Sequence, residues 1–382
     1  MYNAYMKCFN LSLAMLSAIL FTVPVVAVER VSLERDGKSI HVDGRIVVEA
    51  ADGGLLLQDD NGVLWAITPD EIVSRDSDAF PFEPLDKDAI GDDLLQELPN
   101  GFRVHKTAHY VLCYNTSPAY AEWCGALFER LYLAFTTYWS RRGFELHEPE
   151  WPLVALIFDR KSSYASYAKS ELGAATMDIP GYYSLRTNRV IMYDLTGAGG
   201  VAGQRTTVAN ITRSLSRPGA ERNVATIIHE ATHQVEFNCG LHTRYADIPL
   251  WVSEGIANYF ETPDLKSSKG WRNIGSVNRF RLAEFKRNLR HRQADSLKTL
   301  LSNDERFRNP RTALQAYAEA WALNYFLIRK HSKEYMAYMQ TLAKKRPLRY
   351  DDPEERLALF RQAFGDLDQL NTAFLRYTRQ LR

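Results

Sequence analysis

The chemistry of this chain concentrates in His229-Glu230-Ala231-Thr232-His233, followed twenty-one residues after His233 by Glu254. On a helix, two imidazoles four residues apart leave the same face about 6 Å from each other, close enough to share one small cation. Zinc takes imidazole nitrogen and carboxylate oxygen in tetrahedral geometry, and a catalytic zinc uses three protein ligands and leaves the fourth position to water. With His229, His233 and Glu254 as ligands, Glu230 is left over beside them as a candidate base. The set therefore predicts hydrolysis rather than metal storage. Asn258 follows Glu254 by four and shares its helix face, where its side-chain oxygen can accept from the non-ligating nitrogen of a metal-bound His. The plain alternative is a core helix with two hydrogen-bonded histidines.

The elements that must position these residues are legible nearby. Val224, Ile227, Ile228, Ala231 and Val235 form an apolar stripe and Gly240 offers a stop, so a helix is predicted from Val224 to Cys239. Pro249 suits the start of a second, short helix carrying Glu254, and Gly255 would let that helix approach a neighbour closely.

This pattern resembles the gluzincin branch of zinc metallopeptidases, the thermolysin-like group with His-Glu-x-x-His and a downstream Glu ligand. The stretch Thr226 to Pro263, with Phe237-Asn238-Cys239-Gly240-Leu241 and Pro249-Leu250-Trp251, also resembles an uncharacterised family of exported zincin-like proteins, the likeness running from about residue 105 to 330. The resemblance implies zinc held by His229, His233 and Glu254, with Glu230 as general base. It also implies a donor to the oxyanion, for which Tyr317 in Ala316-Tyr317-Ala318-Glu319 holds the resembling position. His242 and Tyr245 are weaker candidates, and packing is the ordinary role for one of 20 tyrosines. One departure stands out, because thermolysin-like enzymes usually carry Asp where this chain has Asn258. A neutral amide raises ligand basicity less than a carboxylate.

Upstream, a strand near His109 to Tyr114, a helix from Ser117-Pro118 to about Arg141, a strand from Leu153 to Phe158 and a helix around Ser162 to Glu171 form an α/β layer. Gly181 to Leu185 and Arg189 to Tyr193 read as a hairpin, and the resemblance makes it the edge above the metal helix that accepts an extended substrate; an ordinary hairpin is equally open. Thr196 to Arg222, rich in Gly, Ser and Thr, is expected to be a long loop, either a mobile lid or a surface excursion.

Lys7 followed by the apolar run Leu11 to Val26 reads as a secretory signal peptide over residues 1–27, cleaved after Ala27, with an uncleaved membrane anchor as the alternative. The expected location is exported, periplasmic or extracellular. Cys8 lies in that segment, leaving Cys113, Cys124 and Cys239. An odd count excludes full pairing within the chain, and a Cys113–Cys124 bridge stays open. With 47 basic and 46 acidic residues, nothing favours nucleic acid as a partner.

The remaining organisation is a β-meander over 28–75, punctuated by Asp52-Gly53-Gly54 and Asp60-Asn61-Gly62, an acidic linker over 76–104, a catalytic domain over 105–264 and a helical region over 265–382. The basic cluster Arg279 to Arg292 is either a solvated helix face or a contact for an anionic wall polymer. The fold class expected is α+β, a zincin-like domain with an α/β upper lobe over a helical lower lobe, plus the small N-terminal β unit. The expected function is an exported zinc metallopeptidase acting on a peptide or protein, with a membrane partner only if the leader is retained. The alternatives are a non-catalytic assembly protein with a structural zinc and a hydrolase of non-protein amides.

Overall fold

In the computed structural model, the residues described are 27–173, 179–196, 207–217, 220–262 and 274–382. All but Ala27 of the signal peptide expected over 1–27, with Cys8, lies outside them. Among the described residues no helix is long and apolar enough to cross a membrane.

The first sheet contains β1 (Ala27–Arg35), β2 (Lys38–Glu49), β3 (Leu55–Asp59), β4 (Leu64–Ile67) and β5 (Ile72–Pro81), all antiparallel in the order β4-β3-β2-β1-β5. Asp36 and Gly37 both take positive φ, as a two-residue hairpin with the right twist requires. Alternate residues Val31, Leu33, Val42, Leu55, Leu57 and Ile67 form its small core. The expected meander is present as β2-β3-β4. Strand β5 pairs with β1 some forty residues away, a partnership that no local pattern announces.

The stretch 76–104 is not a linker. It contains the end of β5, then α1 (Lys87–Glu97), capped by the Asp86 side chain, and the start of β6 (Arg103–Lys106). Ile90, Leu94 and Leu98 recur every four residues and are buried, so the acidic composition belongs to the outer face of a packed helix.

The second sheet adds β7 (Tyr110–Tyr114), β8 (Leu153–Phe158), β9 (Gly181–Tyr183) and β10 (Arg189–Tyr193) in the order β6-β7-β8-β10-β9. Strands β7, β8 and β10 are parallel, with β6 and β9 as antiparallel edges. The three central strands are nearly continuous apolar runs because both faces are covered. Val111, Cys113, Val154 and Leu156 meet α1 and α3 (Lys161–Leu172), while Leu112, Ala155, Ile157 and Val190 face α2 (Pro118–Ser140) and α5 (Ala220–Asn238).

The loop expected over Thr196 to Arg222 is interrupted by α4 (Val208–Leu215), whose Ile211 and Leu215 join the core beside α2; residues 197–206 and 218–219 lie outside the described residues. Downstream come α6 (Leu250–Phe260), α7 (Arg279–Asn288), α8 (Ser296–Ser302), α9 (Glu305–Arg308), α10 (Ala313–Lys330), α11 (Ser332–Ala343), α12 (Pro353–Phe364) and α13 (Leu367–Gln380). The molecule is α+β. One hydrophobic core runs from Tyr110 to Phe374, so the later helices share it with the sheet. Trp251, for example, stacks on Tyr338 at 5.8 Å and meets Phe360 edge-on at 5.6 Å.

Gly255 does permit a close approach, and the neighbour is α10. A Cβ there would run into the Asn324 side chain, which donates to Trp251 O and Ala320 O and so joins α6 to α10. Much of the basic cluster turns inward: Arg281 reaches Glu261, Arg292 reaches Glu319, and Lys286 donates to Leu381 O. Cys113, Cys124 and Cys239 are free, buried thiols, and burial pushes Cys113 and Cys239 up to about 12.

Candidate metal centre

Helix α5 supplies His229, Glu230 and His233, held in place by its buried stripe Val224, Ile227, Ile228, Ala231 and Val235. Helix α6 starts at Pro249, which offers no side-chain cap, and the missing acceptor comes from afar: Asp304 Oδ1 accepts from Leu250 N at 3.0 Å. This arrangement fixes the helix that delivers Glu254.

The three expected ligands converge. His229 Nε2 lies 2.9 Å from Glu254 Oε2 and 3.2 Å from His233 Nε2, and His233 Nε2 is 3.6 Å from Glu254 Oε2. A tetrahedral ion with bonds of about 2.0–2.2 Å needs ligand atoms about 3.3 Å apart, close to all three separations. These residues form a cluster able to hold a metal ion. The outer ring nitrogens are also engaged, with His229 Nδ1 3.2 Å from Glu261 Oε2 and His233 Nδ1 3.4 Å from Glu236 Oε2. An imidazole whose far nitrogen faces a carboxylate is oriented and more basic, the usual dressing of a metal-binding His. The residues present therefore fit a divalent cation bound through two imidazoles and one carboxylate.

Electrostatics agree. Burial pulls His229 down, but Glu254 and Glu261 outweigh it and push it up to about 9. Burial likewise opposes His233, which Glu254 and Glu236 hold well above its ordinary value. Glu254 is held far below the carboxyl range against its own burial by the two imidazoles. Burial raises Glu236 to about 7. The carboxylates facing both imidazoles thus favour positive charge on and between the two rings.

Asn258 does not take the role expected of it. Its Nδ2 donates back to Glu254 O at 2.6 Å, while its Oδ1 is buried without a partner. The carboxylate on His229 is Glu261, seven residues after Glu254 and on the same face, with a longer side chain that reaches the ring. Glu261 is itself fixed by Asn278 Nδ2 at 2.7 Å and Arg281 Nε at 3.2 Å. Sequence reasoning missed it because it stopped at the first turn beyond the ligand; an acid two turns beyond was the available signal. Glu236, one turn past His233, was missed likewise.

Glu230 faces the cleft, where its Oε2 accepts from Tyr183 N on edge strand β9 at 2.9 Å. Burial raises its carboxyl above the ordinary range. The cleft has a volume of about 500 Å³ and includes His229, Glu230, His233, Glu254 and Tyr317 in its wall. The Glu254 charge, with burial, keeps the Tyr317 phenol protonated far above its ordinary value, and the Arg281 guanidinium lies 5.4 Å over its ring. Of the weaker candidates, Tyr245 also lines this cleft, whereas His242 is buried with neither ring nitrogen hydrogen-bonded, its Nε2 3.9 Å from Glu236 Oε2, and lines a separate cavity against β2 and β3.

No curated protein matches the chain. A family model described as a protein of unknown function (DUF1570) matches residues 223–349, a span that contains all three cluster residues, Glu230, Glu261 and Tyr317.

Proposed function

We propose that this chain is an exported zinc-dependent metallopeptidase, and the observation that carries the reading is Glu230. A structural zinc site closes its fourth position and has no use for an adjacent base. Here a fourth carboxylate, not needed to complete the three-residue cluster, faces the same cleft and is aimed by a backbone N–H. His229, His233 and Glu254 would hold the ion. Zinc bound there would polarise water and the scissile carbonyl. Glu230 takes the proton released by the attacking water and returns it to the leaving amine. Tyr317, protonated and at the cleft wall, is placed to donate to the oxyanion. The β9 edge supplies main-chain groups for an extended peptide. The leader at 1–27 supports export.

The test is elemental analysis of the purified chain beside its Glu254→Ala variant. One zinc per chain, lost in the variant, is expected, followed by cleavage of unstructured peptides that Glu230→Gln abolishes. Turnover retained in Glu230→Gln would remove the mechanism.

A further inference from the structure

His242 lines a cavity other than the cleft, yet its ring comes back to α5. The helix ends at Asn238, Gly240 turns the chain at positive φ, and His242 N then donates to Glu236 O at 3.1 Å. The imidazole lies 5.6 Å from the Phe237 ring, and its Nε2 stands 3.9 Å from Glu236 Oε2, with both the His242 and Glu236 side chains fully buried. The same carboxylate oxygen is 3.4 Å from His233 Nδ1. His233, Glu236 and His242 therefore form a row leading away from the three-residue cluster.

The outer step of that row is open at both ends. Glu236 Oε1 and both ring nitrogens of His242 have no hydrogen-bond partner among the described residues. An unpaired polar group shut away from water is costly, and here a donor and an acceptor stand side by side. Burial pushes His242 down to about 3, so the neutral ring keeps one N–H to give. The separation is about 1 Å beyond a hydrogen bond, which a tilt of either side chain closes. Of the other groups that act on Glu236, His229 and Glu254 face the centre of the cluster, and the Tyr183 and Tyr335 hydroxyls donate to Asn188 and Asn324. His242 is the donor left over.

We propose that His242 is a positioning residue of the metal centre: its Nε2–H holds Glu236, Glu236 holds the His233 ring, and the row fixes the angle at which His233 Nε2 meets the ion. The inference rests on the metal-binding part of the proposed function and not on what the site cleaves.

Zinc affinity by chelator competition, read beside the visible absorption of the cobalt-loaded chain, tests it in a double-variant cycle. His242→Phe keeps a ring without a donor and should weaken zinc binding about tenfold, with shifted cobalt bands because one ligand changes its angle. In a Glu236→Leu background the same substitution should change affinity by less than about twofold, since the row is already cut. His242→Gln, whose amide reaches the place of Nε2, should restore both readings, while His242→Asn, whose amide stops at the place of Nδ1, should not. That pair decides the matter where His242→Phe loses its circular dichroism. Wild-type affinity in His242→Phe, an equal loss in the Glu236→Leu background, or equal affinities in the Gln and Asn variants overturn the positioning role and leave the proposed function standing. A wild-type chain that takes up neither zinc nor cobalt sinks the metal reading, and this inference with it.

Discussion

Two buried charge clusters flank α6, and they are built on opposite principles. At the start of the helix, Arg356 bridges Asp247 and Asp304, with Nε 3.1 Å from Asp247 Oδ2 and Nη1 3.1 Å from Asp304 Oδ1; every charge faces its opposite, and Asp304 caps the helix. Further along, Glu254 and Glu261 join His229, His233 and Glu236, where the inner atoms of His229, His233 and Glu254 converge on one point. The first cluster is complete in itself. The second presents ligand atoms able to hold a metal ion. Burial alone thus fails to tell the two clusters apart, whereas the convergence of ligand atoms on one point does.

The comparison breaks most sharply at Glu230. Glu230→Gln should lower peptide turnover by about 10²–10⁴-fold with zinc content and unfolding midpoint unchanged, measured by kinetics beside elemental analysis; a comparable fall in stability would show that the two clusters do not divide function from fold. Arg356→Met should act in the reverse sense and destabilise the chain by about 3–5 kcal/mol in urea unfolding, because Asp304 loses its partner and Asp247 keeps only Lys345. Burial raises the Asp247 carboxyl, but Arg356 and Lys345 outweigh it and hold it below its ordinary value. Such a group stabilises the fold above its unfolded pKa of about 3.9 and loses that contribution as pH falls through the folded value. The acid limb of a stability–pH curve, below about pH 4, should therefore be shallower in Arg356→Met than in the wild type.

Glu261→Gln sharpens the comparison from the other side. Replacing the carboxylate on His229 by an amide should weaken zinc binding by about 10–100-fold in a chelator competition. Asn258→Ala should change it by less than about threefold, since Asn258 touches neither imidazole. The reverse order would restore the role first expected of Asn258.

Where function and fold share a local pattern, the sequence was readable. His229, His233 and Glu254 come together as their spacing requires, and β8 runs over the expected residues because its apolar run ends at Phe158. What escaped depends on distance or on one extra helical turn. Strand β5 and the Asp304–Arg356 cap link residues far apart in the chain, and α1 was hidden by the acids on its solvent face although Ile90 and Leu94 marked its inner one. Glu261 lay two turns past Glu254 and Glu236 one turn past His233, and both looked like ordinary surface acids.

The cap on α6 also sets an order of assembly. Leu250 N finds its acceptor only when residue 304 arrives, and that acceptor is pinned only by residue 356. A chain made or delivered from its N-terminus therefore holds both histidines long before the third ligand has a fixed helix to stand on. Any metal held there would then load late, and a chain truncated before α12 would carry the whole motif yet hold an ion loosely.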